Sequence, residues 1–250
     1  MKELKFLRER PIAHRGLFNK KEGIPENSIP AFERAIQENY PIELDVHLLV
    51  DGNIVIFHDD NLARMTGMKK KIKECTYDEI KDLKLNNTKY GIPLFSEVLD
   101  LVQGRVPILI EFKYDRKAGE TEKRTMELLV NYKGKYAVQS FSPSSLIWFK
   151  KNYPDVPRGQ LSADYRNERM IIIKKIILRN LYLNFLTKPY FISYGINGFP
   201  NKRVQKWKDS GNLVLAWTIK NNQDLEKVKN ECNNIIGENL NQLDLSILRN

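Results

Sequence analysis

Residues 41–60, PIELDVHLLVDGNIVIFHDD, place acidic and imidazole side chains inside apolar runs that have the pattern of short strands. Glu43, Asp45, His47 and His58 interrupt stretches rich in Ile, Val, Leu and Phe. An ionised carboxylate buried among apolar strands costs several kcal/mol unless a group of opposite charge pairs with it. These side chains are therefore expected to pair with a group or ion of opposite charge.

Further groups of the same kind lie at the ends of other predicted strands. His14 ends the strand PIAH, and Glu111 lies near the end of VPILIEFK. The carboxyl ends of barrel strands meet at one mouth, where Glu43, Asp45 and Glu111 would converge. Three carboxylates repel one another unless a cation lies between them, and their oxygens are the ligands that Mg²⁺ and Ca²⁺ select. The sequence thus predicts a divalent metal site.

The segment AHRGLF adds groups that suit a phosphate. His14 is an acid/base candidate, and Arg15 carries a guanidinium that can hold a phosphate through two hydrogen bonds. Gly16 would let the backbone bend sharply beside a ligand. In the following PENS segment, Ser28 is interpreted as a helix cap, and the two residues before it as support for neighbouring side chains.

Short apolar strands alternate with helical patterns along the chain, which indicates parallel βαβ units. About eight such units in 250 residues favour a (β/α)8 TIM barrel over an open sheet, in a single domain covering residues 1–250. The turn-rich, charged segment from roughly 60 to 105 is predicted to be a small insertion after the second barrel strand. The predicted strands are 11–14, 42–48, 53–58, 106–113, 136–141, 158–162, 190–196, 213–219 and 234–238.

The composition narrows the class of protein. The net charge of +10 fits an anionic partner or simply favours solubility. The charge is diffuse and no nucleic-acid-binding motif is found, so nucleic acid is not expected. No apolar run reaches 18 residues, the N-terminus lacks the apolar stretch of a secretory signal, and the two cysteines form no disulfide framework. A cytoplasmic location is expected; the oligomeric state is not predicted.

Residues 166–191, RNERMIIIKKIILRNLYLNFLTKPYF, are apolar on most faces but contain Lys174, Lys175 and Arg179. One interpretation is a basic amphipathic helix that makes peripheral contact with an anionic membrane. The other is an outer barrel helix, buried on one side, whose basic side chains extend to water. The second is favoured because a barrel needs a helix at this position.

Nine short segments together resemble a known family, the glycerophosphodiester phosphodiesterases. They occur in the family's order and extend over nearly the whole chain. The resemblance implies a (β/α)8 barrel with an insertion after the His-Asp segment. The matching segments are AHRG (13–16), PENS (25–28), ELDV with DG (43–46, 51–52), HD (58–59), LARMTG (62–67), IPLFSEVL (92–99), IEFK (110–113), SF (140–141) and AWT (216–218).

The resemblance also implies a role for each matching residue. His14 and His58 correspond to the acid/base pair, Glu43, Asp45 and Glu111 to the ligands of a divalent metal, Arg15 and Lys113 to phosphate contacts, and Trp217 to an aromatic side chain in the site. Trp217 can equally be a large core residue. His47 matches no catalytic position, and Glu238 stands where the family often has a late Asp.

The activity implied is metal-dependent hydrolysis of a small glycerophosphodiester to sn-glycerol 3-phosphate and an alcohol, with Mg²⁺ or Ca²⁺ as cofactor. The glycerol hydroxyl would attack phosphorus to give a cyclic intermediate, which water then opens. A membrane-associated phospholipase or lysophospholipase D on the same fold is one alternative. A non-catalytic binding protein is another, disfavoured because all the matching positions are intact. Neither the head group nor the order in which the histidines act is predicted.

Overall fold

The computed structural model describes residues 2–113 and 118–248. The strands within these ranges coincide with those expected from the sequence, shortened by one to three residues where they differ. They are β1 Ile12–Ala13, β2 Ile42–Leu48, β3 Ile54–Ile56, β4 Ile108–Phe112, β5 Tyr136–Ser140, β6 Arg158–Ser162, β7 Phe191–Gly195, β8 Leu213–Ile219 and β9 Asn234–Gly237.

Eight of the strands in the described ranges form a closed parallel barrel. Their order is β1-β9-β8-β7-β6-β5-β4-β2, and β1 pairs with both β9 and β2 to close the ring. The ninth strand, β3, lies outside the ring and runs antiparallel to β2, with Val46 opposite Ile56. The prediction of a TIM barrel is confirmed.

Helices lie between the strands and pack their apolar faces against them. The packing is seen in α1, where Ala31, Phe32 and Ala35 are buried. Within the described ranges the helices are α1 Ile29–Gln37, α2 Ala63–Thr66, α3 Tyr77–Ile80, α4 Phe95–Val102, α5 Glu120–Leu129, α6 Pro143–Asn152, α7 Ile172–Arg179, α8 Asn184–Thr187, α9 Lys202–Asp209 and α10 Asn222–Val228.

The barrel interior has its own apolar core, closed at one end by the start of the chain. A 3-10 helix, Lys2–Leu7, places Phe6 and Leu7 against inward-facing residues such as Leu109 and Ile236. The Asn234 side-chain amide donates to Leu7 O at 2.8 Å and holds this plug on β9. The plug leaves the other end of the barrel for the site.

The segment between β3 and α4 forms a separate apolar cluster beside the barrel. Leu62, Met65, Ile72 and Ile80 are buried together there. In contrast, α4 packs in the main core around the barrel, although it falls inside the 60–105 range. The assignment of 60–105 as one insertion into a single domain stays a prediction.

The expectation of an outer barrel helix, buried on one side, within 166–191 is met only in part by α7. Ser162 Oγ of β6 donates to Leu178 O, and the Tyr194 hydroxyl of β7 donates to Arg179 O. No residue of α7 is fully buried, however, and part of its apolar face borders a groove that also contains Phe141 and Pro143. In the described part of the chain, no helix combines the length and apolarity needed to cross a membrane.

Candidate active site

Two neighbouring barrel strands place three carboxylates side by side. Glu43 and Asp45 belong to β2 and Glu111 to β4, and Asp45 is the register partner of Glu111. One oxygen from each lies within 4.8 Å of the others, and the residues are only 1%, 1% and 8% exposed. The structure therefore brings together the three carboxylates expected to converge.

These three carboxyl groups differ in their affinity for protons. Burial raises the pKa of Glu43 well above its usual value, and repulsion from Asp45 and Glu111 raises it further. Burial likewise raises the pKa of Glu111, in spite of the opposing charge of Lys113. Burial also raises the pKa of Asp45, but neighbouring positive charges, of which Lys113 has the largest effect, lower it by more. The cluster as a whole favours a cation among its oxygens.

Lys113 supplies one positive charge to the cluster. Its Nζ lies 2.5 Å from Asp45 Oδ1 and 2.6 Å from Glu111 Oε1. Burial lowers the pKa of Lys113, but the two carboxylates raise it by more, so the side chain stays an ammonium. The ammonium therefore lies between these two carboxylates and offsets part of their negative charge.

The oxygens of the cluster fit a hard divalent cation. Glu43 Oε1 is buried and has no hydrogen-bond partner in the described chain, whereas Glu43 Oε2 accepts from the backbone N–H of Arg15 at 3.0 Å. Asp45 Oδ2 accepts from Asn27 Nδ2 at 2.7 Å. One oxygen of each of these carboxylates is thus fixed. Of the other two, Glu43 Oε1 remains for a ligand, whereas Asp45 Oδ1 faces the Lys113 ammonium at 2.5 Å.

A sharp turn after β1 carries Arg15 to the cluster. Arg15 adopts a left-handed backbone conformation with φ of 57°, followed by Gly16 at 79°. A Cβ on Gly16 would lie 2.9 Å from Ala31 Cβ, so the turn can approach α1 only with glycine there. Arg15 Nη1 then donates to Glu26 Oε1 at 2.6 Å. The backbone and side chain of Arg15 are both held in place.

His14 is held by a carboxylate from the opposite end of the chain. Its Nδ1 donates to Glu238 Oε1 at 3.3 Å, and Lys220 Nζ lies 3.5 Å from the same oxygen. Burial lowers the pKa of His14, and the bond to Glu238 partly offsets this effect. Glu238, which occupies the late acidic position, therefore fixes the His14 ring with its Nδ1 protonated.

His58 is held by a longer chain of ion pairs. Its Nδ1 donates to Asp59 Oδ1 at 2.6 Å. Asp59 Oδ2 accepts from Arg64 Nε at 2.5 Å, and Arg64 Nη2 donates to Glu26 Oε1 at 2.7 Å. Burial lowers the pKa of His58, while Asp45 and Asp59 act in the opposite direction. Glu26 also accepts from Arg15, the candidate for phosphate binding. The same carboxylate therefore helps to position both Arg15 and His58.

His47 supports the backbone at His58. Its Nε2 donates to His58 O across 3.5 Å, the long limit of a hydrogen bond. Burial lowers the pKa of His47 to about 4, so the ring is neutral. It does not line the mouth cavity, in agreement with its lack of a catalytic match.

A cavity of 480 Å³ at the barrel mouth brings most of the predicted residues together. Asp45 does not line the cavity; its Oδ2 accepts from Asn27 Nδ2. Trp217 contributes to the opposite wall, where its ring meets Phe141 edge-on with centroids 5.4 Å apart. The predicted residues that line the cavity are His14, Arg15, Glu43, His58, Glu111, Lys113 and Trp217.

Asp59, Arg64 and Gln139 also belong to the site, although sequence reasoning gave them no role. Asp59 and Gln139 line the cavity, and Gln139 Oε1 accepts from Ser193 Oγ at 2.8 Å. Asp59 directly follows His58 in the HD segment, which was a usable signal. Arg64 lies in the short helix α2, 38 residues from its partner Glu26, and no spacing rule predicts that pairing.

Comparison with known proteins decides the family. The glycerophosphoryl diester phosphodiesterase family matches residues 14–236. The chain belongs to this family. A glycerophosphodiester phosphodiesterase of Bacillus altitudinis is 32% identical over 185 residues, covering 69% of this chain and 74% of that protein. The prediction of an enzyme that hydrolyses glycerophosphodiesters is confirmed.

Solved structures share the fold. A putative family enzyme from Silicibacter pomeroyi DSS-3 superposes with a TM-score of 0.82 at 22% identity, covering 99% of this chain and 97% of that one. A phosphodiesterase from Oleispira antarctica, in complex with the product sn-glycerol-3-phosphate, gives 0.76 at 23% identity and covers 92% and 93%. Both have the barrel described above.

Proposed function

We propose that Glu43, Asp45 and Glu111 hold a divalent cation, Mg²⁺ or Ca²⁺, beside a phosphodiester in the mouth cavity. The observation that carries this proposal is a buried set of three carboxylates, one oxygen of each lying within 4.8 Å of the others. His14 and His58 both line the adjoining cavity. When bound, the cation would supply Lewis-acid stabilisation of the charge on the phosphoryl oxygens.

Arg15 and Lys113 hold the phosphate. Both cations line the cavity, and the carboxylates around them raise the pKa of each, against the effect of burial. They therefore stay charged and stabilise negative charge that develops on phosphorus-bound oxygens. Trp217 closes the far wall; its Nε1 is buried without a partner in the described chain and can donate to substrate.

The two histidines move the protons. Each uses Nδ1 to bind a carboxylate, which directs the remaining ring nitrogen, Nε2, to the substrate. One Nε2 accepts the proton of the attacking hydroxyl, and the other gives a proton to the departing alcohol. A positioned acid or base of this kind contributes roughly 10²–10⁴-fold to the rate. The attacking hydroxyl is that of the glycerol, and water then opens the cyclic phosphodiester, so that the products are sn-glycerol 3-phosphate and the head-group alcohol.

Release of sn-glycerol 3-phosphate from glycerophosphocholine tests the assignment. Wild-type protein is expected to turn over with Mg²⁺ or Ca²⁺ and to stop in chelator. His14→Ala and His58→Ala should each lower kcat by about 10²-fold or more. Calorimetric titration with the metal alone gives a readout besides activity. Turnover insensitive to chelator, or to both histidine substitutions, would contradict the proposal.

The second part of the proposal concerns location. A cytoplasmic site is consistent with Cys75 and Cys232, which are buried and unpaired. Residues 166–191 make peripheral contact with an anionic lipid surface. The support is an exposed row of isoleucines in and beside α7, together with Lys174, which is exposed and forms no ion pair within the described residues.

Co-sedimentation with phosphatidylglycerol vesicles at low salt tests this contact. Lys174→Glu combined with Arg169→Glu should weaken vesicle binding at least tenfold, because both side chains are exposed and form no ion pair in the described ranges. Lys69→Glu, an exposed position in the segment after β3, is the control for a change of charge alone. Absence of binding by the wild type would refute the contact.

A further inference from the structure

A second cavity lies at the end of the barrel that the plug closes, away from the candidate active site. Its volume is 360 Å³, within the range of about 300–1,000 Å³ for pockets that bury small molecules. The plug contributes Phe6 to its wall. The rest of the wall includes the residues one or two positions before β1, β2, β4 and β5, which are neighbours in the ring. These residues are Arg10, Pro41, Pro107 and Lys135.

Positive charge predominates around this cavity. Four basic residues and one acidic residue line it, and the acidic one, Glu9, already lies 3.2 Å from Lys5 Nζ. All four basic side chains are exposed, and none forms an ion pair with a described residue. Cations gathered in this way repel one another, and an anion among them removes the repulsion. The basic residues are Arg10, Arg105, Lys133 and Lys135.

The two arginines are held in place by the ends of helices. Arg10 Nη2 donates to Glu38 O, directly after α1, at 3.3 Å, and its guanidinium lies 5.0 Å from the centroid of the Tyr40 ring. Arg105 donates through Nε and Nη2 to two carbonyl oxygens in the last turn of α4. These bonds leave Nη1 of both arginines without a partner among the described residues. A guanidinium fixed on one edge presents its other N–H groups to a ligand such as phosphate.

Two glycine-containing turns bring the basic loops together. Gly104 has φ of 75°, and a Cβ on it would lie 3.0 Å from Gly134 Cα, so another residue would be strained there and would push the turns apart. The backbone N–H of Gly104 donates to the Tyr132 hydroxyl at 3.2 Å, which connects the loop before β4 to the loop before β5. Arg105 and Lys133, the residues next to these glycines, therefore line the same cavity.

We propose that this cavity binds the phosphates of a short polyphosphate chain, as found in tripolyphosphate or in a nucleoside triphosphate. Each guanidinium can hold one phosphate, and the two lysine ammonium groups neutralise the remaining charge. A single phosphate would use only part of this set. The bound chain would link Arg10, which follows the plug, to the loops before β4 and β5, and would thereby stabilise the folded protein.

Calorimetric titration in chelator, with tripolyphosphate and with inorganic phosphate, tests the site. Wild-type protein should bind tripolyphosphate at least tenfold more tightly than phosphate, because the longer chain contacts more of the cations. The affinity should fall as salt is raised, since exposed charges are screened. Tripolyphosphate should also raise Tm in chelator. Absence of tripolyphosphate binding, or equal affinity for phosphate, would overturn the proposal.

Matched variants locate the anion. Lys133→Ala with Lys135→Ala should weaken tripolyphosphate binding at least tenfold. Lys71→Ala with Lys73→Ala removes the same charges at the same spacing from another exposed segment and should leave binding unchanged. Arg10→Lys keeps the charge but loses the planar guanidinium, and it should weaken binding about fivefold. If both lysine double variants weaken binding equally, or if neither does, the anion does not occupy this cavity.

The barrel mouth is the other place where a phosphate chain could bind, through Arg15 and Lys113. Arg15→Gln should therefore leave the affinity for tripolyphosphate unchanged in chelator, and a tenfold loss would place the anion in the mouth and overturn the proposal. Lys133→Ala with Lys135→Ala should leave glycerophosphocholine turnover unchanged, since neither residue lines the mouth cavity. The titrations need neither metal nor substrate, so their outcome does not depend on the proposed function.

Adenosine triphosphate carries the same triphosphate chain and distinguishes the two sources of that chain. Affinity of the wild-type protein equal to that for tripolyphosphate supports a site for the phosphates of a nucleotide. Affinity at least tenfold lower supports a site for the free polyphosphate chain, because the nucleoside then hinders binding.

Discussion

The two sides of the barrel mouth are built from opposite kinds of side chain. On the side of β1, β2 and β4, His14, Arg15 and Lys113 are each bonded to a carboxylate. On the side of β5, β6 and β8, Phe141, Leu161 and Trp217 form a mainly apolar wall.

Under the proposed function, the difference separates the groups that carry out the chemistry from those that select the substrate. Groups that move protons or hold phosphate must keep one orientation, which hydrogen-bonded carboxylates provide. A wall that only accommodates part of a substrate needs shape and apolar area, and it can extend without disturbing the charged side. Substitutions on the charged side should therefore affect kcat, and those on the apolar side KM.

The largest effect should come from the metal-ligand candidates on the charged side. Glu111→Gln keeps the shape of the side chain but removes a charge, and we expect glycerophosphocholine turnover to fall by about a thousandfold. Calorimetry with Mg²⁺ or Ca²⁺ alone should show weaker binding. Glu120→Gln on the exposed surface of α5 is the control. Unchanged metal affinity in Glu111→Gln would remove this residue from the cluster.

Substitution of Glu26 should have the next largest effect, a decrease in the free energy of unfolding. Burial raises the pKa of Glu26, but Arg64 and Arg15 outweigh it and lower the pKa to about 2. A carboxyl group whose pKa is lower in the folded than in the unfolded protein stabilises the fold at any pH above its unfolded-state pKa. That contribution is lost as the pH falls through the folded-state pKa. The contribution at pH 7 is at most about 3 kcal/mol.

Urea unfolding of wild-type protein and Glu26→Gln in chelator measures this contribution. The difference in free energy of unfolding should be largest at pH 7 and decrease as the pH falls from 4.5 toward 2. Glu22→Gln is a control, since Glu22 is exposed and outside the cavity. A difference that does not change over this pH range would contradict the assigned ion pairs.

A smaller effect should distinguish the two histidines. Asp59→Asn and Glu238→Gln should each lower kcat about 10- to 100-fold. Both carboxylates raise the pKa of the ring they contact, so each substitution should move one limb of the pH–rate profile to lower pH. A shift of the acidic limb identifies the base, and a shift of the alkaline limb identifies the acid.

The two limbs should respond to different variants. If Asp59→Asn and Glu238→Gln shift the same limb, then His14 and His58 do not divide the two proton transfers. If neither limb shifts, the carboxylates do not act through the histidines.

The smallest effect should come from the apolar side. Trp217→Phe removes a buried N–H that has no partner among the described residues, and KM should rise about fivefold with kcat unchanged. Trp207→Phe is the matched control, because Trp207 Nε1 already donates to Leu213 O at 3.2 Å. A decrease in kcat for Trp217→Phe would show that the two sides are not functionally separate.

Local pattern predicted much of this arrangement. Strand–helix alternation gave the barrel, and the i, i+2 spacing of Glu43 and Asp45 placed both on one strand face. Their convergence with Glu111 was expected because the carboxyl ends of parallel barrel strands meet at one mouth; the register itself was not predicted. The Arg64–Glu26 pair was not predictable, because it joins the short helix α2 to a turn 38 residues earlier in the chain. The exposure of Ile172, Ile173 and Ile176 in α7 was not predicted, because an apolar sequence does not distinguish a face covered by strands from one that borders a groove.

The contact between His14 and Glu238 has a consequence for how activity appears during folding. It joins residues 224 positions apart across the seam where the first strand, two residues long, meets the last. Contacts this distant in sequence form late, since the whole intervening chain must be ordered first. A nascent chain should therefore stay inactive until the ring closes, which delays hydrolysis until β9 and Glu238 have been synthesised.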